Sequence, residues 1–253
     1  MKRDPLFFTL LESANTNFSG WDFSFISETG RMKSEPLSWS YGSTAYQLMQ
    51  RAESMLDMGT GGGEFSSMLQ PFPPTIYATE GYAPNVPIAR KKLGPLGVTV
   101  VEVTDDTALP FQDEQFDLIV NQHESYAASE VYRILSPNGV FLTQQVGGLD
   151  CAKLNEQFGT PLNSEFANWS LKAACSELEE NGFTILEATE EFPFQRFYDV
   201  GAIVYYLKAI PWQIPDFTVE GYYEELYRIH EIILQKGYFD VKQHRFIIKA
   251  IHS

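Results

Sequence analysis

Ser54-Met55-Leu56-Asp57-Met58-Gly59-Thr60-Gly61-Gly62-Gly63-Glu64 decides how this chain reads. It starts as a short apolar run and ends as a glycine loop. An apolar run bounded by glycines predicts a buried strand. The residues that follow, 64–70, are expected to open a helix. Glycines at a strand-to-helix junction let the backbone turn tightly and approach a ligand without Cβ atoms in the way.

Working outward, the runs Thr75–Thr79, Val98–Val103, Phe116–Val120 and Val140–Val146 read as further strands. Helical stretches are expected between them, at 85–93, 124–135 and 167–181. Leu135-Ser136-Pro137-Asn138-Gly139 reads as a helix stop and a turn. Strands that alternate with helices predict an α/β fold with a mainly parallel sheet. Phe183–Phe197 reads as extended and Arg245–Ile251 as a last strand. Asp199–Ile210 and Val219–Gln235 read as helices, split by Pro211-Trp212-Gln213-Ile214-Pro215. The expected organisation is an aromatic-rich helical extension over 1–50, a candidate lid, and a main domain over 51–253. A helical insertion is expected at about 199–236. Phe7, Phe8, Phe18, Trp21, Phe23, Phe25, Trp39, Tyr41 and Tyr46 supply the aromatic character of the extension.

The chain has 253 residues, with 18 Lys and Arg against 33 Asp and Glu, and a net charge of -15. Nucleic-acid affinity comes largely from Lys and Arg that release counterions, so this balance makes a nucleic-acid partner unlikely. Two cysteines, Cys151 and Cys175, are too few for a disulfide scaffold and suit a reducing compartment. The apolar stretch Leu6–Leu11 is too short for a secretion signal or a membrane span. The expectation is a cytoplasmic protein.

Three ligand classes compete for the glycine loop. A phosphate loop needs Gly-Lys-Ser/Thr, but Gly63 is followed by Glu64. A dinucleotide loop needs a third glycine, which Glu64 replaces, and an acid there repels a pyrophosphate. S-adenosylmethionine carries an ammonium, a sulfonium and no phosphate, so Asp57 before the glycines is an asset. Glu80 ends the second run, where a carboxylate can accept from two ribose hydroxyls. Asp105 and Asp106 follow the third run, where an Asp can accept from an adenine amino group or cap a turn.

These pieces, with Phe116-Asp117-Leu118-Ile119-Val120 and Arg133-Ile134-Leu135-Ser136-Pro137-Asn138-Gly139, resemble class I S-adenosylmethionine-dependent methyltransferases. Their order and spacing are similar to the branch with the quinone-biosynthesis and many small-molecule enzymes. The resemblance covers about 52–147. It implies a Rossmann-like, seven-stranded, mainly parallel sheet whose last strand is antiparallel, with helices on both faces. It implies S-adenosylmethionine as cofactor, S-adenosylhomocysteine as product and a small-molecule methyl acceptor. By the resemblance, Asp57, Gly59, Thr60 and Gly61 face the methionine part, and Glu80 binds the ribose. Gly81 with Tyr82 borders the adenine, Asp105 and Asp106 meet its amino group, and Asn121 lies near the transferred methyl. An RNA or protein methyltransferase, or a non-catalytic binder of the same cofactor, is the alternative.

A base is needed only where the acceptor must lose a proton. His123, in Asn121-Gln122-His123-Glu124, is the candidate, and a His bonded to neighbouring groups at a strand end is the other reading. The Asn/Asp-Pro-Pro-aromatic motif of amino methyltransferases is absent. Both cysteines read as packing residues. The four His form no metal motif, and His230-Glu231 reads as a surface pair. Tyr198, Tyr205, Tyr206 and Trp212 are candidate pocket walls. The oligomeric state has no sequence signal.

Overall fold

Leu56 and Asp57 pair in parallel with Tyr77 and Ala78 on one side and with Ile119 and Val120 on the other. The glycine loop therefore leaves a strand that is paired on both edges. The computed structural model describes residues 4–16, 18 and 23–253; Met1, Lys2, Arg3 and Trp21 lie outside the described residues. The strands are β1 (Met32–Ser34), β2 (Ser54–Met58), β3 (Thr75–Glu80), β4 (Thr99–Glu102), β5 (Phe116–Gln122), β6 (Leu135–Val146), β7 (Phe183–Glu191), β8 (Phe194–Phe197), β9 (Phe239–Lys242) and β10 (Arg245–His252). The α-helices are α1 (Pro5–Ser13), α2 (Ser24–Ser27), α3 (Tyr41–Met49), α4 (Val86–Leu93), α5 (Ala128–Ile134), α6 (Ala152–Phe158), α7 (Leu171–Glu180), α8 (Val200–Ala209) and α9 (Tyr223–Lys236).

The chain divides into two compact units. One comprises 38–146, 169–190 and 245–253, and holds the large sheet. Its seven strands run in the order β4-β3-β2-β5-β6-β10-β7. β2 to β6 pair in parallel, and β10 is antiparallel to β6. This is the expected Rossmann-like sheet. Both faces are covered, as a parallel sheet requires. Leu56 and Met58 point to one face with Val131 and Ile134 of α5 and Leu178 of α7. Met55 points to the other with Ala45 and Met49 of α3 and Leu93 of α4. The period of two thus sorts β2 into both cores. Truncating a fully buried Leu56 to Ala costs about 2–5 kcal/mol. Residues 135–139, expected as a turn, are instead the bulged start of β6. Phe116 pairs with Leu135 and Leu118 with Val140, so 136–139 loop out, with Asn138 at φ 63°.

The other unit comprises the described residues of 1–37 with 147–168 and 191–244. Its sheet, β1-β8-β9, is antiparallel. Helix α8 is apolar nearly all round and buried accordingly. Asp199 caps it, accepting from the Ala202 N–H at 2.9 Å, and takes a forked pair of bonds from Arg31 at 2.7 and 2.6 Å. Gly201 has no room for a side chain: a Cβ there would lie 2.3 Å from the Leu10 carbonyl oxygen of α1.

Four further expectations are corrected. No α-helix follows the glycine loop at 64–70; the chain makes turns and one 3₁₀ turn at Ser66–Met68. The Ser66 hydroxyl bonds the Asp57 carboxylate instead, and prolines at 71, 73 and 74 bar further helix. Helix α5 starts at Ala128, not 124; Ala127 before it is extended, with φ -95° and ψ 114°. His230 is no surface residue: it is 1% exposed and its Nε2 meets Asp4 Oδ2 at 2.8 Å. Tyr205 and Tyr206 lie in the core of their unit, with the Tyr206 hydroxyl 3.4 Å from Cys151 Sγ. Trp212 and Tyr198 are exposed.

Candidate active site

The C-terminal ends of β2, β3 and β5 meet around the glycine loop, the usual ligand position of an open α/β sheet. Gly59, Gly61 and Gly63 all take positive φ, at 69°, 61° and 78°. Only glycine does so repeatedly without strain. The loop is tied to β3 by the Gly59 N–H on Thr79 Oγ1 at 3.2 Å and the Thr60 N–H on the Thr79 carbonyl at 2.9 Å.

Asp57, at the end of β2, is buried. Desolvation raises its pKa, and the Glu80 charge adds to this; the Ser66 and Thr60 hydroxyls oppose it. The two hydroxyls lie 3.2 Å apart. Glu80 ends β3, also buried. Burial raises its pKa, while the N–H groups of Tyr82, Gly61 and Gly81 and the Asn85 amide stabilise the carboxylate. The Tyr82 bond measures 2.7 Å. Gly81 packs so closely that a Cβ would lie 2.8 Å from the Val103 carbonyl oxygen.

The structure separates Asp105 from Asp106. Asp105 is exposed and accepts from both the N–H and the hydroxyl of Thr107, at 2.9 and 2.6 Å. That is an Asx turn, and it lowers the Asp105 pKa. Asp106 instead accepts from the Ser125 hydroxyl and lies close enough to Glu124 to raise its pKa. Glu124 was not singled out in the sequence. Desolvation, then Asp106 and Glu80, push its carboxyl up to about 7.

Asn121 is fully buried at the end of β5. Its Oδ1 accepts from Thr143 Oγ1 at 3.0 Å and Gln145 Nε2 at 2.7 Å, and its Nδ2 has no partner. A second orphan is the hydroxyl of Tyr41 at the start of α3, whose pKa burial and the Asp57 charge push well above the usual range. Such atoms cost about 1–3 kcal/mol each when left unpaired. Tyr41 was visible in the sequence only as one aromatic among many.

His123 follows β5. The Trp39 indole N–H donates to Gln144 Oε1 at 2.7 Å, which turns the Gln144 amide nitrogen toward His123 Nε2, 3.1 Å away. His123 Nε2 is therefore an acceptor, and the proton of the neutral ring sits on Nδ1. Desolvation by surrounding protein atoms, then the Arg245 charge, lower its pKa, although the residue keeps exposed surface. Acting as a base would require Nε2 to give up the Gln144 amide. Among the described residues no His, Cys, Asp and Glu group could hold a metal ion.

Residues 56–143 match the methyltransferase-domain family. Over that stretch the chain is similar to methyltransferase domains. The enzyme transfers methyl groups, and S-adenosylmethionine is its cofactor. The fold of this methyltransferase is shared with several solved structures. A putative methyltransferase from Bacillus halodurans is 20% identical, with a TM-score of 0.59 over 83% of this chain and 99% of that one. A putative sarcosine dimethylglycine methyltransferase from Galdieria sulphuraria is 16% identical, with a TM-score of 0.52 over 83% of this chain and 82% of that one. The [4+2]-cyclase SpnF is 15% identical, with a TM-score of 0.54 over 83% of this chain and 80% of that one. Among curated proteins none matches the chain. No helix among the described residues is long and apolar enough to cross a membrane.

The site fits this cofactor on its own geometry. The loop carries no Lys or Arg for a phosphate, and two acids flank it. Two buried donors beside these acids, Tyr41 Oη and Asn121 Nδ2, have no partner.

Proposed function

We propose that this methyltransferase acts on a small-molecule acceptor, and that the glycine loop and the tips of β3 and β5 hold the cofactor. Asp57 with the backbone of Gly59, Thr60 and Gly61 takes the methionine part. Glu80 accepts from the ribose hydroxyls, its carboxylate held in place by the N–H groups around it. Gly81 lets the adenine lie close to the backbone, and Asp106 rather than Asp105 faces its amino group. Asn121 offers its unpaired Nδ2 at the methionine end.

The observation that carries this reading is the convergence of two buried carboxylates, Asp57 and Glu80, on a loop with three left-handed glycines and no cation. The bound cofactor supplies an activated methyl and a neutral leaving group. The chain's residues then bind, orient and exclude water. The net charge of -15 favours a small acceptor over RNA. The aromatic-rich flanks of the chain make planar, apolar acceptors the first to test, in a cytoplasmic setting. His123 serves as a neutral donor through Nδ1 that helps to place the acceptor, or as a base after Gln144 shifts.

Calorimetric titration with S-adenosylhomocysteine, with NADH as control, tests the pocket. Binding of the first alone supports it, and a methyl-label screen of small-molecule extracts then seeks the acceptor. Absence of binding would remove the assignment of these residues.

A further inference from the structure

Glu124 stands over the glycine loop: a Cβ built on Gly59 would lie 2.4 Å from its Cβ and Cγ and 2.6 Å from its Oε2. Its backbone is fixed there, because Gln145 Nε2 donates both to the Glu124 carbonyl at 3.0 Å and to Asn121 Oδ1 at 2.7 Å. Glu124 also feels the charges of Glu80 and Asp106. Two buried donors without partners, Asn121 Nδ2 and Tyr41 Oη, mark the same region as built for a ligand.

This inference rests on the cofactor pocket proposed above. In that pocket the sulfur joins the ribose, at Glu80, to the methionine part, at Asp57 and Gly59. Glu124 touches Gly59 and couples to Glu80, so its carboxylate sits at this junction. We propose that Glu124 is the counter-charge to the sulfonium, and that it makes the site prefer the charged cofactor to the neutral-sulfur product. A carboxylate gains from a nearby cation and loses that gain when the methyl has left. After transfer, Glu124 faces a thioether with two carboxylates around it: Glu80 on β3 and Asp106 after β4. Of the other facing groups, His123 is the neutral neighbour in the chain. Product release is thereby favoured.

The carboxyl titrates near neutrality, so the preference is expected to grow with pH. The sign follows from the raised value: below it the group is a neutral acid, above it an anion.

The test is calorimetry of the full chain with S-adenosylmethionine and with S-adenosylhomocysteine, each at pH 6.0 and pH 8.0. The wild-type preference for S-adenosylmethionine is expected to rise about tenfold between the two pH values, the equivalent of one pKa unit. Glu124→Gln should abolish this rise and leave S-adenosylhomocysteine affinity within about twofold. Glu80→Gln should weaken both ligands alike. A wild-type preference that ignores pH, an equal loss of both ligands in Glu124→Gln, or no loss at all would overturn the proposal. Failure of wild type to bind either ligand would instead remove the pocket itself.

Discussion

The Trp39 indole N–H donates to Gln144 Oε1 at 2.7 Å, and this bond decides which nitrogen of His123 carries a proton. An indole can only donate, so the Gln144 oxygen must face it and the amide nitrogen must face His123. Trp39→Phe removes the donor and keeps a ring. The expected result is a loss of about 1 kcal/mol of stability. The His123 ring nitrogens, observed by ¹⁵N NMR, should shift toward a mixture of tautomers. An unchanged spectrum would show that the amide is oriented by something else.

Gly59→Ala places a methyl group at φ 69° and 2.4 Å from Glu124. The backbone and the clash each oppose it. Stability should fall by at least about 1 kcal/mol in chemical denaturation, and S-adenosylhomocysteine binding should be lost. Adding Glu124→Gly should restore part of the loss, measured against Glu124→Gly alone, because it removes the Cβ, Cγ and carboxylate that the methyl meets and leaves the backbone cost. No recovery in the double variant would assign the whole loss to φ.

Glu80→Ala should weaken S-adenosylhomocysteine by on the order of 1–3 kcal/mol, from charge-assisted bonds to the ribose. Calorimetry reads this directly. Unchanged affinity would detach Glu80 from the ribose.

Glu130 and Arg133 on α5 pin the segment that bears Asp105 and Asp106. Arg133 donates to Glu130 at 2.7 and 2.8 Å and to the carbonyls of Leu109 and Phe111 at 3.0 and 2.8 Å. Glu130 also accepts from the Leu109 N–H at 2.8 Å. The Arg133 guanidinium is the first cause holding the Glu130 pKa below its ordinary value. A lowered folded-state pKa adds stability above the unfolded value of about 4.3, and that stability is lost as pH falls through the folded value. Glu130→Gln should therefore be less stable than wild type at pH 7. The gap should close once the pH lies below the folded-state pKa. A gap independent of pH would mean that the side chain acts through shape alone.

The sheet and the glycine loop were legible in the sequence because their signals are local. Apolar runs of about five to seven residues mark β2, β3, β5 and β10 without knowledge of any partner, and the runs of β2 and β3 end at Gly59 and Glu80. Asp57 and Glu80 could be named the same way, as acids at strand ends. Tertiary structure decided what lies far apart in the chain. Pairing of Met32 with Phe197 made β1, a strand of three residues with no pattern of its own. Asp4 drew His230 into the interior across 226 positions. Capture of Ser66 by Asp57 replaced the expected helix after the loop. Asp105 and Asp106 are adjacent in sequence, yet one closes a turn on Thr107 and the other faces Ser125. Glu124 acquired its place over Gly59 only when β2 and β5 paired. Periodicity and turn chemistry are properties of a few neighbouring residues, so sequence carries them. Contacts that close loops of 60 residues or more, such as Gly59 with Glu124, depend on which strands meet, and only the assembled sheet sets that.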